Sequence, residues 1–286
     1  MPQPLVSAII PTFNRAAWIG EAIDSVLAQD YPHIELIVVD DGSTDTTPHI
    51  VQGYEAAVTS IRQPQRGVSA ARNQGVAASQ GELIAFLDSD DLWLPDKIVT
   101  QVALFQQCPE LQACYTDEIW IRRGVRVNPK HIHRKYSGWI FHQSLPRCTI
   151  SPSSIMLRRS QWNRLGGFDE RLPACEDYDL WLRLTSSTPV HLITKQLIVK
   201  RGGHSDQLSL SVPVLDIYRI TALEKMLAAP LTLPQRQAVL EHLLQKSRIV
   251  AQGARKRGHG ARSATYDAKT HTYQQQLAGL VQHQSL

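Results

Sequence analysis

The 286-residue chain is poor in several features that commonly announce a function. Its four cysteines, Cys108, Cys114, Cys148 and Cys175, show no CxxC spacing, which excludes metal or redox motifs of that type and fits reduced thiols. No apolar run reaches the roughly 18–20 residues that a transmembrane helix needs, and the opening "MPQPLVSAIIPTFN" lacks a signal-peptide lead. A cytoplasmic location is expected. There is no GxxxxGK[ST] string, so an apolar strand ending in acids is not the magnesium end of a P-loop enzyme. A dinucleotide fold needs GxGxxG after its first strand, where this chain reads "PTFNRA". Internal repeats and low-complexity tracts are also missing. At 43% hydrophobic and 20% charged residues the composition is that of a globular protein. A net charge of +4 suits an anionic ligand or surface without requiring either.

What is present is an alternation of strand and helix. "VSAII" (6–10), "IELIVVD" (34–40) and "ELIAFLD" (82–88) are continuous apolar runs, as in strands covered on both faces, and a short strand is expected at 60–62. Between them come a helix carrying Trp18, Ile19, Ala22, Ile23, Val26 and Leu27, with Asn14 as its expected cap, a second near Ile50, and a third over 67–80 ended by Gly81. This order predicts a parallel sheet with right-handed crossovers and a ligand at the carboxyl ends of its strands. An amphipathic helix to Gln107 and a strand at "ACYTDEIWI" follow. Residues 122–150 read as a long basic loop, and 153–184 as a strand, a short helix, a Gly166-Gly167 turn and a final helix. Helical periodicity returns near 213–228, 234–252 and 263–282. The expected division is a catalytic domain over 1–210 and a helical appendage over 211–286.

Eight of the 26 acids fall in three clusters, at 40–41, 88–91 and 176–179, the first two at predicted strand ends. In a basic chain that concentration favours a bound cation. Hard cations such as Mg2+ or Mn2+ take oxygen ligands, with one or two carboxylates and substrate phosphates as the usual set. Asp88 and Asp90, two apart on an extended strand end, can point the same way. An aspartyl-phosphate enzyme would place "DSD" after its first strand, not its fourth.

The strings "VSAIIPTFNR", "ELIVVDDGSTD", "RGVSAARNQG", "GELIAFLDSDDLWLPDK" and "EDYDLWLRL" occur in one order, and in that order the chain resembles the family 2 inverting glycosyltransferases of GT-A fold over roughly residues 4–205. The resemblance implies an α/β fold of the Rossmann-like GT-A type, a mainly parallel sheet flanked by helices. It implies transfer of a sugar from a nucleotide-diphospho-sugar, UDP-linked by expectation, to an acceptor hydroxyl in polysaccharide, glycolipid or envelope glycan synthesis. By position, Pro11, Thr12 and Phe13 match the turn that holds base and ribose, and Asp41 matches the acceptor of the uracil imide N–H. Arg72 would lie near the diphosphate. By the same resemblance Asp88 would face the ribose and metal shell, Asp90 would contact the Mn2+ or Mg2+, and Asp177 matches the catalytic base. His204, in "RGGHSDQLS", stands where several GT-A enzymes present a metal-binding histidine.

Two rivals remain at this level. A sugar-nucleotide nucleotidyltransferase would carry a Gly-rich, lysine-containing loop after the first strand, and a non-catalytic GT-A-like protein would lose its base or metal acids. The expected partners are the nucleotide-sugar donor and a saccharide or lipid-linked acceptor, with no nucleic acid. His131 and His133 read as a solvated pair. Lys130, Arg134, Lys135 and the run near Arg255 could meet anionic lipid at the inner membrane face. The helical tail is expected to cover the catalytic domain or to pair subunits.

Overall fold

The computed structural model describes residues 3–204 and 212–284. The expected 210/211 domain boundary therefore lies outside the described residues. The first half of the fold runs β1 (Val6–Thr12), α1 (Ile19–Leu27), β2 (Ile34–Asp40), α2 (Thr47–Gln52), β3 (Thr59–Arg62), α3 (Val68–Ala77) and β4 (Leu83–Phe86). All three contacts among these strands are parallel, as the uninterrupted apolar runs of β1, β2 and β4 predict. Alternate residues serve opposite faces. Val6, Ala8 and Ile10 pack under α1, whereas Ile9, Ile37 and Val39 face α3. Gly75 lets α3 lie close against the sheet, since a Cβ there would come within 2.5 Å of the Ile9 side chain. That approach is what brings Arg72 to the strand ends.

The second half is mixed. It contains β5 (Leu92–Trp93), α4 (Lys97–Gln107), β6 (Ala113–Arg122), β7 (Val125–Val127), α5 (Phe141–Ser144), β8 (Ile155–Arg158), α6 (Arg159–Leu165), α7 (Glu176–Thr185) and β9 (His191–Gly202). The sheet order is β3-β2-β1-β4-β8-β6-β9-β5, with β7 paired to β6. Strand β8 is antiparallel to both β4 and β6, while β9 runs parallel to β6. The run of adjacent parallel strands thus ends at β4, and among the described residues parallel pairing recurs only between β6 and β9. Residues 122–150 are not one loop, because β7 turns back on β6 and α5 buries Phe141 in the core.

Asn14 caps no helix. Helix α1 begins at Ile19, and Asn14, at φ +50°, accepts from Thr44 N through Oδ1 at 2.8 Å, tying the turn after β1 to the turn after β2. Helix α3 ends at Ala77, before Gly81, because the backbone of Gly81 closes on Ser7 instead.

The three tail helices are α8 (Asp216–Met226), α9 (Leu233–Lys256) and α10 (Gly260–Gln284). Helix α9 starts with a capping box between Thr232 and Gln235. Ile220, Leu223, Leu240 and Leu243 share one core with Phe141, Tyr178 and Leu182. The tail therefore covers the outer face of α7 in its own chain. Among the described residues, no helix is long and apolar enough to cross a membrane.

Candidate active site

The strand ends at β1, β2 and β4 and the start of α7 form one acidic crevice. Thr12 closes β1 with its Oγ1 buried and without a hydrogen-bond partner, next to Pro11 and half-buried Phe13. Asp40 and Asp41 close β2. Asp41 is buried, and its oxygens accept from Gln63 Nε2 at 2.6 Å, Arg66 N at 2.9 Å and Gly67 N at 2.7 Å. A carboxylate has about four lone-pair positions, so one remains for a base N–H.

Beyond β4 the acids separate by role. Asp91 is buried: Ser153 Oγ donates to it at 2.6 Å and Arg201 N at 2.9 Å. Burial, then Asp90 and Asp88, push its carboxyl well above the usual range, opposed by Lys200 and Ser153. Asp90 lies 2.9 Å from His204 Nε2, with side chains 19% and 13% exposed. Burial and Asp88 raise the Asp90 carboxyl, and His204 and Arg15 hold it down. His204 arrives there because β9 delivers it: Arg201 lies over Trp18 at 4.6 Å, and the Trp18 and His204 rings are 5.5 Å apart.

These donors fit a hard divalent cation. A carboxylate oxygen and an imidazole nitrogen meet at the strand ends, beside Asp88. Among the described residues no three His, Cys, Asp or Glu side chains gather as a complete ligand set. The other positions would fall to substrate oxygens and water.

Arg72 is neither a surface residue nor open to the crevice. Its Nη2 donates to Asp88 at 2.7 Å, its Nη1 to Glu176 at 2.8 Å, and Phe168 lies 4.9 Å beneath the guanidinium. Burial disfavours its charge, but Asp88 and Glu176 outweigh this and push its proton affinity up. One buried cation thus ties the β4 end to the start of α7.

In "EDYD", Glu176 is buried on Arg72 and Asp179 is buried against Arg183 at 2.8 Å and Lys225 at 2.6 Å. Asp177 alone is half-exposed. Its Oδ1 accepts from Tyr178 N at 2.6 Å, and its Oδ2 from Cys148 Sγ at 3.2 Å. The residue before this helix, Cys175, has φ +62°, a left-handed turn uncommon outside glycine. Burial and Asp177 raise the Cys148 thiol well above its ordinary range, so it stays a donor.

Pro11, Thr12, Phe13, Asp41, Asp88, Asp90, Asp177 and His204 thus gather around the crevice, with Arg72 buried behind it on Asp88 and Glu176. Sequence reasoning missed Cys148, Ser153, Lys200 and Arg201; only "VKRGGH", the approach to His204, carried a hint of the last two. Lys135 leaves the expected lipid-facing group: it is buried on Glu118 at 3.2 Å. His133 is half-buried, its ring 4.9 Å from Trp120, so the pair with exposed His131 is not simply solvated.

Residues 7–161 match Glycosyl transferase family 2, and residues 136–208 match Glycosyltransferase like family 2. The chain is a family 2 glycosyltransferase. A putative teichuronic acid biosynthesis glycosyltransferase, TuaG of Bacillus subtilis, is 41% identical over 167 residues, 57% of this chain and 66% of the relative. The chain spans about a third of the length of several Rickettsia glycosyltransferases it matches. Among solved structures, Staphylococcus aureus TarS 1–349 in complex with UDP-GlcNAc aligns at TM-score 0.62 and 18% identity, covering 95% of this chain and 92% of that one. The mannosyltransferase PcManGT of Pyrobaculum calidifontis, in complex with GDP-Man and Mn2+, aligns at 0.61 and 21%, covering 98% and 87%. These similarities establish the GT-A fold.

Proposed function

We propose that the family 2 chain transfers a sugar, with inversion, from a UDP-linked donor to an acceptor hydroxyl in polysaccharide or envelope glycan synthesis. One observation carries the reading: of the three acids opening α7, only Asp177 faces the crevice, and Arg72 fixes that helix to the donor end. The base and ribose lie at Pro11, Thr12 and Phe13, with Asp41 accepting the base N–H. Asp88 faces the ribose, and Asp90 with His204 would hold Mg2+ or Mn2+, which when bound neutralises charge on the departing diphosphate. Asp177 takes the proton from the acceptor hydroxyl, whose oxygen attacks the anomeric carbon opposite the leaving group. The catalytic unit is 1–210, and 211–286 buttress its base helix. Solved relatives of the fold carry UDP-GlcNAc in one case and GDP-Man with Mn2+ in another, so donor and metal both require direct measurement. The working site is cytoplasmic, at the inner membrane face if the acceptor is lipid-linked.

The test is calorimetric titration of UDP and GDP with and without Mn2+, paired with nucleoside diphosphate release from a panel of nucleotide sugars. UDP should bind more tightly than GDP, Mn2+ should strengthen it, and Asp90→Ala should abolish the Mn2+ effect. Tighter GDP binding, or an Asp90→Ala protein that responds to Mn2+ like wild type, would overturn the donor or metal assignment respectively.

A further inference from the structure

Strands β6 and β9 carry a group of cations that the reaction described above does not use. Glu118, Trp120 and Arg122 share one face of β6, and Lys200 is the register partner of Trp120 on β9. The His133 ring lies tilted against Trp120 with centroids 4.9 Å apart, and the Arg122 guanidinium lies 5.0 Å from the same ring. Arg122 Nη1 is buried without a hydrogen-bond partner. Arg147 and Lys200 are half-buried, and among the described residues no carboxylate forms an ion pair with either or with Arg122.

Glu118 is already committed, and Lys200 has its own counter-charges: Glu118, Asp91 and Asp88 push its ammonium up despite burial. Glu118 accepts from Ser151 Oγ and Trp120 Nε1, both at 2.9 Å, and pairs with Lys135 at 3.2 Å. Lys135 and Lys200 hold its carboxyl down to about 2 against the effect of burial. Burial and then Arg147, Lys200 and Arg122 depress the His133 imidazole, in keeping with several cations acting on one space. Arg122 and Arg147 have no carboxylate in ion-pair contact among the described residues, and an anion between them would relieve the cost of their partial burial. The cluster adjoins the proposed base, because Cys148, next in sequence to Arg147, is the residue that donates to Asp177. Lys200 borders the diphosphate end, where Asp91 and Asp88 act on it, whereas Arg122 lies over Trp120.

We infer that the acceptor is anionic, and that a carboxylate or phosphate on it is held by Arg122 and Arg147 while its hydroxyl meets Asp177. The inference rests on the proposed transferase reading. It requires no change in the chemistry, only a charged handle on the acceptor chain.

The experiment measures binding of three probes of matched length to immobilised full-length protein saturated with UDP and Mn2+. The probes are a glucuronate-bearing oligosaccharide, a poly(glycerol phosphate) oligomer and a neutral gluco-oligosaccharide. At least one anionic probe should bind about tenfold or more tightly than the neutral one, the scale of one hydrogen bond to a charged group. Comparison of the two anionic probes then distinguishes carboxylate from phosphate. The Arg122→Gln/Arg147→Gln double variant should lose this preference with UDP affinity unchanged. A control removing exposed charge, Arg126→Gln/Lys130→Gln, should keep it. Equal binding of all three probes, absence of binding, or equal loss in the control variant would overturn the inference. Failure of UDP itself to bind is read separately and would count against the donor assignment instead.

Discussion

The acid clusters at 88–91 and 176–179 look alike in sequence and are built alike in space. Each exposes an acid to the crevice and buries another in structural bonds. In the first, Asp90 meets His204 while Asp91 is held by Ser153 and the Arg201 backbone. In the second, Asp177 meets Cys148 while Asp179 is held by Arg183 and Lys225. They differ in how the charge is compensated. Asp179 has two protein cations in ion-pair contact, whereas Asp91 relies on hydrogen bonds and the more distant Lys200, and its carboxyl is driven upward. Crowding of like charge at the strand ends is therefore relieved partly by the protein's own cations, with Arg72 serving both clusters.

Removing that shared cation should have the largest effect. Arg72→Met leaves Asp88 and Glu176 buried or half-buried without compensation, and denaturant titration should show a loss of about 3–5 kcal/mol. A loss below 1 kcal/mol would mean that the two clusters are independent. Lys97 provides the contrasting case of a buried cation with no acid. It donates to Gln101 at 2.7 Å and lies 4.1 Å from the Trp93 ring centre. Burial depresses its ammonium to about 7, from 10.5 in the unfolded chain. Between these values the unfolded state binds the extra proton, so stability should rise with pH by up to about 1.4 kcal/mol per unit. Lys97→Met should flatten that slope over the same window; an unchanged slope would show that Lys97 does not titrate there.

Smaller effects separate structure from chemistry inside the second cluster. Asp179→Asn should cost about 2 kcal/mol of stability while sparing donor binding, because its partners Arg183 and Lys225 keep access to solvent. Cys148→Ser, which keeps a donor beside Asp177, should change turnover by no more than about fivefold, with Cys148→Ala the larger of the two. If Ala and Ser variants match wild type, the thiol only fills space.

How much of this was legible follows the range of the contacts. The parallel half was readable because β1, β2 and β4 are continuous apolar runs, with only the short β3 lacking one. Strand β9, "HLITKQLIVKRG", was not, since its apolar residues are interrupted by Thr, Lys and Gln and its pairing with β6 spans distant sequence. His204 was nominated without the strand that delivers it. Arg72 stands in "SAARNQG", where nothing local distinguishes a buried strut from a surface arginine. Cys148 and Asp177 are 29 residues apart, so no motif could couple them. The tail helices were visible from periodicity, but not that their core includes Tyr178 and Leu182 of the base helix.

The account's central claim is that one acid of α7 works on substrate while its neighbours hold the fold. Its most direct test is turnover of Asp177→Asn beside Asp179→Asn, with UDP affinity measured on both. The expected result is a fall of ~10²–10⁴-fold for Asp177→Asn at unchanged UDP affinity, and near-normal turnover for Asp179→Asn. Normal turnover in Asp177→Asn, with Asp179→Asn inactive, would contradict it.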